Sequence, residues 1–256
     1  MGRLEGKVSI ITGATGGIGS ATARKLLDEG ARVMLAGRDA ARLAAAAVAL
    51  GASDRVATCA GQPADEADVA ALIAATVARF GAVNIFIANA GTEGKVMPIT
   101  LTSLEDFEAV QHANVTSVFL AIKHAAPAIQ AAGGGAIVAL SSVAGEVGVA
   151  GIGAYATSKH AIAGLVRVAA LELAAGGVRV NAVAPAPIDN AMIQSIERQA
   201  SPADPSLARA GFTALIAMGR YGTDNEVANL IAFLASDEAS YCTGGNYAVD
   251  GGFLAA

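Results

Sequence analysis

Short hydrophobic stretches alternate with longer alanine-rich stretches along most of the chain. The short stretches are nearly continuous in hydrophobicity, which is typical of strands buried on both faces of a parallel sheet. The longer ones carry apolar residues at helical spacing, and two of them end at Gly30 and Gly81, as helices often do. The predicted strands are KVSIIT, ARVMLAG, RVATCA, VNIFIAN, AIVALSS, VRVNAVA and a last one near NYAVD. This order predicts an α/β fold with a doubly wound, parallel seven-stranded sheet.

Length and composition indicate a single domain spanning residues 1–256. In this chain of 256 residues, 54% are hydrophobic and 15% are charged, which suits one large core and is unlike a disordered chain. So much apolar surface also favours an oligomer. The formal net charge of −5 and the lack of any Lys/Arg cluster argue against nucleic-acid binding.

The sequence does not indicate a membrane segment or a metal site. The uncharged span 125–145 contains Pro127 and three consecutive glycines, so we interpret it as a helix end, a turn and a buried strand. The apolar stretch at 8–11 is too short for a signal peptide, and we expect a cytoplasmic protein with no membrane partner. Cys59, Cys242 and the three histidines show no metal-ligand spacing, and we expect no metal.

The regular alternation stops after the sixth predicted strand. The segment from Pro185 to about Arg220 contains four prolines and no predicted strand. It follows the carboxyl end of a parallel strand, where such sheets bind ligands, so we expect a substrate lid at about 186–220. A surface loop with two short helices is the alternative interpretation.

A glycine-rich turn follows the first predicted strand. The sequence TGATGGIG, residues 12–19, connects that strand to the first predicted helix. At such a junction, backbone N–H groups and the helix dipole converge on a site for phosphate. Gly13, Gly17 and Gly19 differ from the common G-x-G-x-x-G spacing, and a tight turn with no ligand is the alternative. The position at the first strand–helix junction favours a dinucleotide-binding, Rossmann-like fold.

The end of the second predicted strand favours NADP(H) over NAD(H). In dinucleotide-binding folds an acidic residue there binds the ribose 2′-hydroxyl, whereas an arginine accommodates a 2′-phosphate. The strand ends LAGRD, so Gly37 takes the place of the acid and Arg38 follows it. Asp39 is better placed as the N-cap of the helix AARLAAAAVAL. The alternative is an NAD(H) enzyme in which Arg38 lies over the adenine.

Tyr155, Lys159 and Ser142 form a candidate acid–base set. Tyr155 and Lys159 stand four residues apart on a predicted helix, so their side chains share one face. A phenol with a pKa of about 10 is a poor acid–base group at neutral pH, and its pKa has to fall by roughly two to three units. We expect the nearby ammonium, with help from an oxidised nicotinamide, to provide this lowering. Ser142 follows a buried strand and can hold a substrate oxygen. Tyr155 would then protonate a carbonyl that receives hydride, or deprotonate an alcohol that loses it. A helix whose tyrosine only packs and whose lysine reaches solvent is the alternative.

Taken together, these motifs resemble the short-chain dehydrogenase/reductase family. The glycine turn, NAG at 89–91, Asn114, Ser142 and the Tyr155-x-x-x-Lys159 pair occur in the family's order, and the resemblance continues to TGGNYAVDGG near the C-terminus. It implies that Asn114 helps to hold a water on the proton path and that Lys159 binds the nicotinamide ribose. The catalytic residues implied are Asn114, Ser142, Tyr155 and Lys159. The cofactor contacts implied are Gly13, Thr15, Gly16, Gly17, Ile18, Gly19, Gly37, Arg38, Gln62, Asn89, Ala90, Gly91, Tyr155, Lys159, Pro185, Ile188 and Asn190.

Four departures from the usual family pattern limit this comparison. Gln62 stands where an aspartate commonly contacts the adenine, and Ala88 replaces the first asparagine of Asn-Asn-Ala-Gly. Ala186 replaces the common glycine after the sixth strand, and Asn190 replaces a threonine that often contacts the nicotinamide carboxamide. Gln62 and Asn190 can each donate and accept hydrogen bonds, so both remain expected contacts.

We therefore expect an NADP(H)-dependent oxidoreductase that interconverts a secondary alcohol and a ketone, with Tyr155 as general acid/base. An NAD(H)-dependent enzyme of the same family and a cofactor-binding regulator without activity are the alternatives. The resemblance also implies a homotetramer, in which the helices containing Asn114 and Tyr155 form one interface and the C-terminal segment another.

The side chains expected around the substrate are mainly apolar, which favours a hydrophobic or aromatic compound over a charged one. The expected substrate contacts are Ser142, Val147, Ile152, Tyr155 and Met192. Val149 and Phe212 complete the expected apolar lining, and the charged candidates for the mouth of the crevice are Glu93, Lys95 and Glu146.

Overall fold

A parallel sheet at the centre of the molecule is covered by helices on both faces. The computed structural model describes residues 2–51 and 54–255. The strands are β1 (Val8–Thr12), β2 (Arg32–Gly37), β3 (Val56–Ala60), β4 (Ile85–Ala88), β5 (Gly135–Leu140), β6 (Val178–Pro185) and β7 (Asn246–Val249). The α-helices are α1 (Gly17–Asp28), α2 (Ala40–Leu50), α3 (Glu66–Phe80), α4 (Leu104–Gln111), α5 (Ser117–Ala131), α6 (Gly153–Leu173), α7 (Ala191–Ala200), α8 (Pro205–Ala214) and α9 (Asp224–Ala235). Within the described ranges the strands form one seven-stranded sheet in the order β3-β2-β1-β4-β5-β6-β7.

The strand order confirms the predicted doubly wound, single-domain Rossmann-like fold. Every pairing between neighbouring strands is parallel. The order reverses between β1 and β4, where the chain first runs outwards to β3 and then returns to continue on the other side. Loops that leave the two strands at such a point diverge and open a crevice at the carboxyl edge of the sheet. This edge is where the predicted site residues should meet.

Two hydrophobic layers hold the helices against the sheet. Because successive strand residues face opposite sides, Ile11 packs in the layer that includes α1 and α9, and Ile10 packs in the layer that includes α5 and α6. All five residues of β1 are buried, as expected for a central strand. Each fully buried Ile or Phe side chain contributes about 1.5–3 kcal/mol. The sheet is therefore a rigid base for the loops at its carboxyl edge.

Local signals set the helix ends that the sequence predicted. The Asp39 carboxylate accepts a hydrogen bond of 3.0 Å from the Arg42 N–H, so Asp39 is the N-cap of α2, as predicted. Helix α3 ends at Gly81, whose φ of +89° is left-handed and suits glycine. Gly30 likewise has a φ of +97° two residues after α1.

The segment 186–220 contains two short helices, α7 and α8. This secondary structure agrees with the alternative interpretation of the segment, and the side chains of both helices reach the carboxyl-edge crevice. No helix within residues 2–51 and 54–255 is long and apolar enough to cross a membrane.

Candidate active site

The glycine turn between β1 and α1 has the shape of a phosphate cradle. Gly13 has a φ of +63°, and a Cβ on Gly19 would overlap the Gly13 carbonyl oxygen, so both positions require glycine. Gly16 precedes the first residue of α1 and has no side chain that could cap its N–H groups. Those N–H groups remain available to a phosphate at the helix N-terminus. The predicted Thr15 lies in the same turn.

Asn89 fixes the glycine turn to the end of β4. Its Nδ2 donates to the carbonyl oxygens of Thr12 at 3.0 Å and Gly13 at 3.1 Å. In return, Thr12 Oγ1 accepts from the N–H groups of Asn89 at 3.1 Å and Ala90 at 3.2 Å. Asn89 and Ala90 were among the cofactor residues expected from the sequence. The role of Thr12, which joins the end of β1 to the end of β4, was missed.

A second, smaller pocket lies at the ends of β2 and β3. Gly37 and Gln62 both line it, with Pro63 and Cys59 beside them. The Gln62 N–H donates to Asp68 Oδ2 at 2.7 Å, which leaves the Gln62 side-chain amide available to a ligand. Arg38, which follows Gly37, is exposed. The expected cofactor residues Gly37 and Gln62 therefore lie together at the ends of β2 and β3.

Ser142, Tyr155 and Lys159 come together at the carboxyl end of β5. Ser142 Oγ accepts from the Ala144 N–H at 3.2 Å and donates to the Pro185 carbonyl oxygen at 3.4 Å, which fixes the hydroxyl between two loops. Tyr155 and Lys159 are both buried on α6. Lys159 Nζ donates to the Leu140 carbonyl oxygen at 2.6 Å and lies 5.4 Å from the centroid of the Tyr155 ring.

Burial shifts both titratable groups of this set towards their neutral forms. It raises the pKa of Tyr155 to about 12, although a hydrogen bond with Ser142 opposes the shift and the charge of Glu93 adds to it. Burial also lowers the pKa of Lys159 to about 8. The protein groups alone therefore do not lower the Tyr155 pKa, and the predicted lowering, which includes the charge of an oxidised nicotinamide, stays a prediction. The physical reason is that loss of solvent is the largest influence on both groups.

Asn114 lies in a π-helical turn, His112–Thr116, that joins α4 to α5. Its Oδ1 accepts from the Thr92 N–H at 2.8 Å, and its Nδ2 donates to the Thr92 carbonyl oxygen at 2.9 Å and to Ser158 Oγ at 3.0 Å. Asn114 Oδ1 and Lys159 Nζ both lie beside Gly91. A Cβ added to Gly91 would be 3.0 Å from the oxygen and 3.8 Å from the nitrogen, so the asparagine is close to the lysine. The structure thus brings Asn114 to the site, and Thr92 and Ser158 are partners that sequence reasoning missed.

A crevice of about 470 Å³ opens in front of this set. Most predicted substrate and apolar lining residues do line it: Ser142, Val149, Ile152, Tyr155, Met192 and Phe212. Val147 was predicted to contact the substrate, but it lies outside the lining and is 38% exposed because the loop turns it towards solvent. The lining also includes Val96, Ile196 and Phe253, which come from distant parts of the chain and which sequence reasoning missed.

The charged candidates for the mouth do not line the crevice. Lys95 Nζ pairs with Asp106 Oδ2 at 2.9 Å, and the Glu146 carboxylate accepts from the Asn246 side chain. Glu93 is half-buried and acts on the site through its charge. The crevice wall is therefore mainly apolar.

Several predicted cofactor residues also face the crevice. Ile18, Asn89, Gly91, Pro185, Ile188 and Asn190 line it together with the catalytic set. Asn190 Oδ1 accepts from the Met192 N–H at 3.1 Å and so caps α7, while Asn190 Nδ2 donates to Asp224 Oδ1 at 2.9 Å. One hydrogen of Nδ2 and one lone pair of Oδ1 remain for a ligand. Asp224 is a further polar neighbour that sequence reasoning missed.

The fold and the site define the class of the protein as a dinucleotide-dependent oxidoreductase. A phosphate cradle at the reversal of a parallel sheet opens into the same crevice as a buried tyrosine and lysine, so a bound cofactor and a substrate oxygen would meet there.

The chain belongs to the short-chain dehydrogenase/reductase family. Residues 13–254 match the family model described as Enoyl-(Acyl carrier protein) reductase. The chain is 37% identical to the cyclohexanol dehydrogenase of Acinetobacter sp. (strain SE19), with 98% of this chain and 96% of that protein covered. It is 40% identical to the cis-4-hydroxycyclohexanecarboxylate dehydrogenase of Sinomonas cyclohexanicum, with 97% of each chain covered. The crystal structure of levodione reductase superposes with a TM-score of 0.95 at 35% identity and 99% coverage of both chains. The protein is thus a short-chain alcohol dehydrogenase/reductase, and its family uses NAD or NADP.

Proposed function

We propose that this enzyme interconverts a cyclic or otherwise hydrophobic secondary alcohol and its ketone, with NADP(H) as the cofactor. The observation that carries the proposal is the buried Ser142–Tyr155–Lys159 set at the base of a mainly apolar crevice. Relatives named for cyclohexanol and for a hydroxycyclohexane carboxylate support a ring-shaped substrate. Among the described residues that line the crevice, Lys159 is the only basic side chain, and its ammonium is bonded to Leu140. A compound without a carboxylate therefore fits better than an anion.

The proton transfer follows from the positions of three side chains. A bound nicotinamide would exchange the hydride and, when oxidised, add a positive charge beside Tyr155. The Ser142 hydroxyl holds the substrate oxygen, and the Tyr155 hydroxyl gives that oxygen a proton as the ketone is reduced. Tyr155 takes the proton back as the alcohol is oxidised. Lys159 stabilises the phenolate that each cycle forms, which offsets the high pKa of the buried phenol.

The end of β2 supports NADP(H) in preference to NAD(H). Gly37 provides no carboxylate for a ribose 2′-hydroxyl, and Arg38 is exposed beside it. A planar guanidinium suits a phosphate, which it can bind through two parallel hydrogen bonds. Arg42 approaches the glycine turn from the same side, with Nη2 at 3.5 Å from the Thr15 carbonyl oxygen, and adds positive charge there. Asn114 completes the proposed catalytic set as the holder of a water on the proton path.

The proposal includes a lid at residues 186–220 and a homotetramer. The crevice is lined by Ile193 on α7, Phe212 on α8 and Leu215 directly after α8. Movement of this segment would therefore open the crevice. Phe119 on α5 and Leu171 on α6 are large apolar side chains in solvent, which supports burial of these helices against a second copy.

A comparison of Tyr155→Phe with the unchanged enzyme tests the activity and the cofactor together. We expect the unchanged enzyme to reduce cyclohexanone and related ketones with NADPH and to use NADH less well, as followed by absorbance at 340 nm. Tyr155→Phe should lower kcat by about 10²–10⁴-fold, the usual contribution of a general acid. The dissociation constant of NADPH, measured by fluorescence, should change little.

Tyr241→Phe is the matched control, because Tyr241 is fully exposed. Full activity of Tyr155→Phe contradicts the acid–base role. Tight NADPH binding without turnover of any alcohol or ketone supports a regulator, and a clear preference for NADH contradicts the interpretation of Arg38.

A further inference from the structure

The middle of the loop 92–97 is tied to helix α7 by one side chain. The Val96 N–H donates to Gln199 Oε1 at 3.1 Å, and Gln199 Nε2 donates to the Gly94 carbonyl oxygen at 3.4 Å. The amide of Gln199 thus contacts both a donor and an acceptor of the loop backbone, as a neighbouring strand would. Gln199 Nε2 also lies 3.3 Å from Ser195 Oγ, one turn earlier on the helix, which orients the side chain.

This tie joins two walls of the crevice. Ile193, Ile196 and Ala200 of α7 line it at the spacing of one helix face. Thr92 and Val96 line it from the loop. Gln199 is next to Ala200 in sequence and bonds to Val96 itself, so its amide spans the gap between the two walls.

The loop is held at its ends by groups outside the segment 186–220. The Asn114 side chain binds both backbone groups of Thr92, and the Met97 N–H donates to the Gly151 carbonyl oxygen at 2.8 Å. Among residues 2–51 and 54–255, no other hydrogen bond joins the segment 186–220 to the loop 92–97. Removal of the Gln199 amide should therefore release α7 from the loop without changing the backbone conformation at the two ends of the loop.

We propose that Gln199 is a specificity-determining residue that closes the crevice between Val96 and Ala200 and so limits the enzyme to compact alcohols and ketones. The inference rests on the proposed function for the reaction itself. A ring of cyclohexanone size needs only part of the crevice of about 470 Å³, which it would share with the cofactor. We expect a long alkyl tail on the ring to extend towards Val96 and Ala200, where it meets the tie.

The test compares cyclohexanone with 4-pentylcyclohexanone, two ketones with the same reacting ring. Gln199→Met keeps the length and much of the volume of the side chain but removes its donor and its acceptor. We expect kcat/KM for the pentyl ketone, relative to cyclohexanone, to rise by about fivefold or more, the factor that corresponds to one net hydrogen bond. The gain should arise in KM, because the reacting groups are unchanged. Gln199→Glu keeps the acceptor for the Val96 N–H and loses the donor, so it should fall between Gln199→Met and the unchanged enzyme.

Gln194→Met is the matched control on the same helix, because the Gln194 amide bonds towards Asp189 and not the loop. It should leave the ratio unchanged. Equal ratios in Gln199→Met and the unchanged enzyme would overturn the inference.

Hydrogen exchange of the Val96 amide reports on the tie without any substrate. Gln199→Met should speed this exchange, and the Met97 amide should keep its protection. An unchanged Val96 amide would overturn the inference as well. If the unchanged enzyme reduces neither ketone, the proposed function fails, and Val96 exchange still shows whether the tie exists.

Discussion

Replacement of Lys159 by methionine should change how the stability of the fold depends on pH. Lys159 is buried, and its ammonium has one protein partner in the described chain, the Leu140 carbonyl oxygen at 2.6 Å. Methionine keeps an unbranched apolar side chain of similar length and removes the charge. We expect Lys159→Met to abolish turnover, because the phenolate of Tyr155 loses its cation.

The size of the effect follows from the pKa of Lys159, which falls from 10.5 to about 8 on folding. Between these values the folded protein binds fewer protons than the unfolded chain, so the free energy of unfolding rises with pH. Each pKa unit corresponds to about 1.4 kcal/mol, so the unchanged protein should gain roughly 2–3 kcal/mol relative to Lys159→Met between pH 7 and pH 10. Differences in packing between lysine and methionine do not depend on pH and cancel from this change.

Urea denaturation at pH 7, 8, 9 and 10, without added dinucleotide, measures the difference directly. Lys95→Met serves as the control, because Lys95 is 61% exposed and its removal takes away no buried charge. It should show no such gain with pH. A stability difference between the unchanged protein and Lys159→Met that stays constant from pH 7 to pH 10 would refute the argument that burial opposes the ammonium.

Two other predictions concern the cofactor and the assembly. A Cβ on Gly37 would meet nothing closer than Leu43 Cδ2 at 3.6 Å, so Gly37→Asp should fold normally. The carboxylate of this aspartate should repel a 2′-phosphate. The value of kcat/KM for NADP, divided by that for NAD, should therefore fall by roughly 100-fold, equivalent to about 3 kcal/mol. An unchanged ratio means that Gly37 does not face the ribose. Analytical ultracentrifugation should show four chains per particle and a smaller particle for Leu171→Glu, whereas a monomer in the unchanged protein contradicts the assembly.

The strands and the catalytic helix could be predicted because their signals are local. Continuous hydrophobic stretches predicted every strand of the sheet to within two residues. The helix AARLAAAAVAL has the predicted bounds of α2, because its Asp39 cap and its alanines lie within the same short segment. The four-residue spacing that places Tyr155 and Lys159 on one face is likewise a property of α6 alone.

The environment of the site could not be predicted, because it depends on segments far apart in sequence. The bonds from Asn114 to Thr92 and from Gln199 to Val96 join residues 22 and 103 positions apart, and no periodic pattern marks them. The same holds for burial: the spacing of Tyr155 and Lys159 predicts attraction, whereas the packing around them raises the phenol pKa and lowers that of the ammonium. Val147 was misplaced for a related reason, since the conformation of the loop decides that Val149 lines the crevice while Val147 is exposed.

The segment 186–220 shows that weak periodicity does not mean weak structure. Its two helices start at side-chain caps: Asn190 Oδ1 accepts from the Met192 N–H, and Asp204 Oδ1 accepts from the Ser206 N–H at 3.0 Å, with Pro205 at the first helical position. These caps are visible in the sequence and give the helix starts that hydrophobic pattern alone leaves open. The Asn190 cap is also a crevice residue, so the group that starts α7 is one that a bound ligand would contact. Helix α7 is therefore held at its N-terminus by Asn190, which also bonds to Asp224, and near its C-terminus by Gln199, which bonds to the loop 92–97. If closure of the crevice limits the substrate as proposed, it depends on both ends of this one helix.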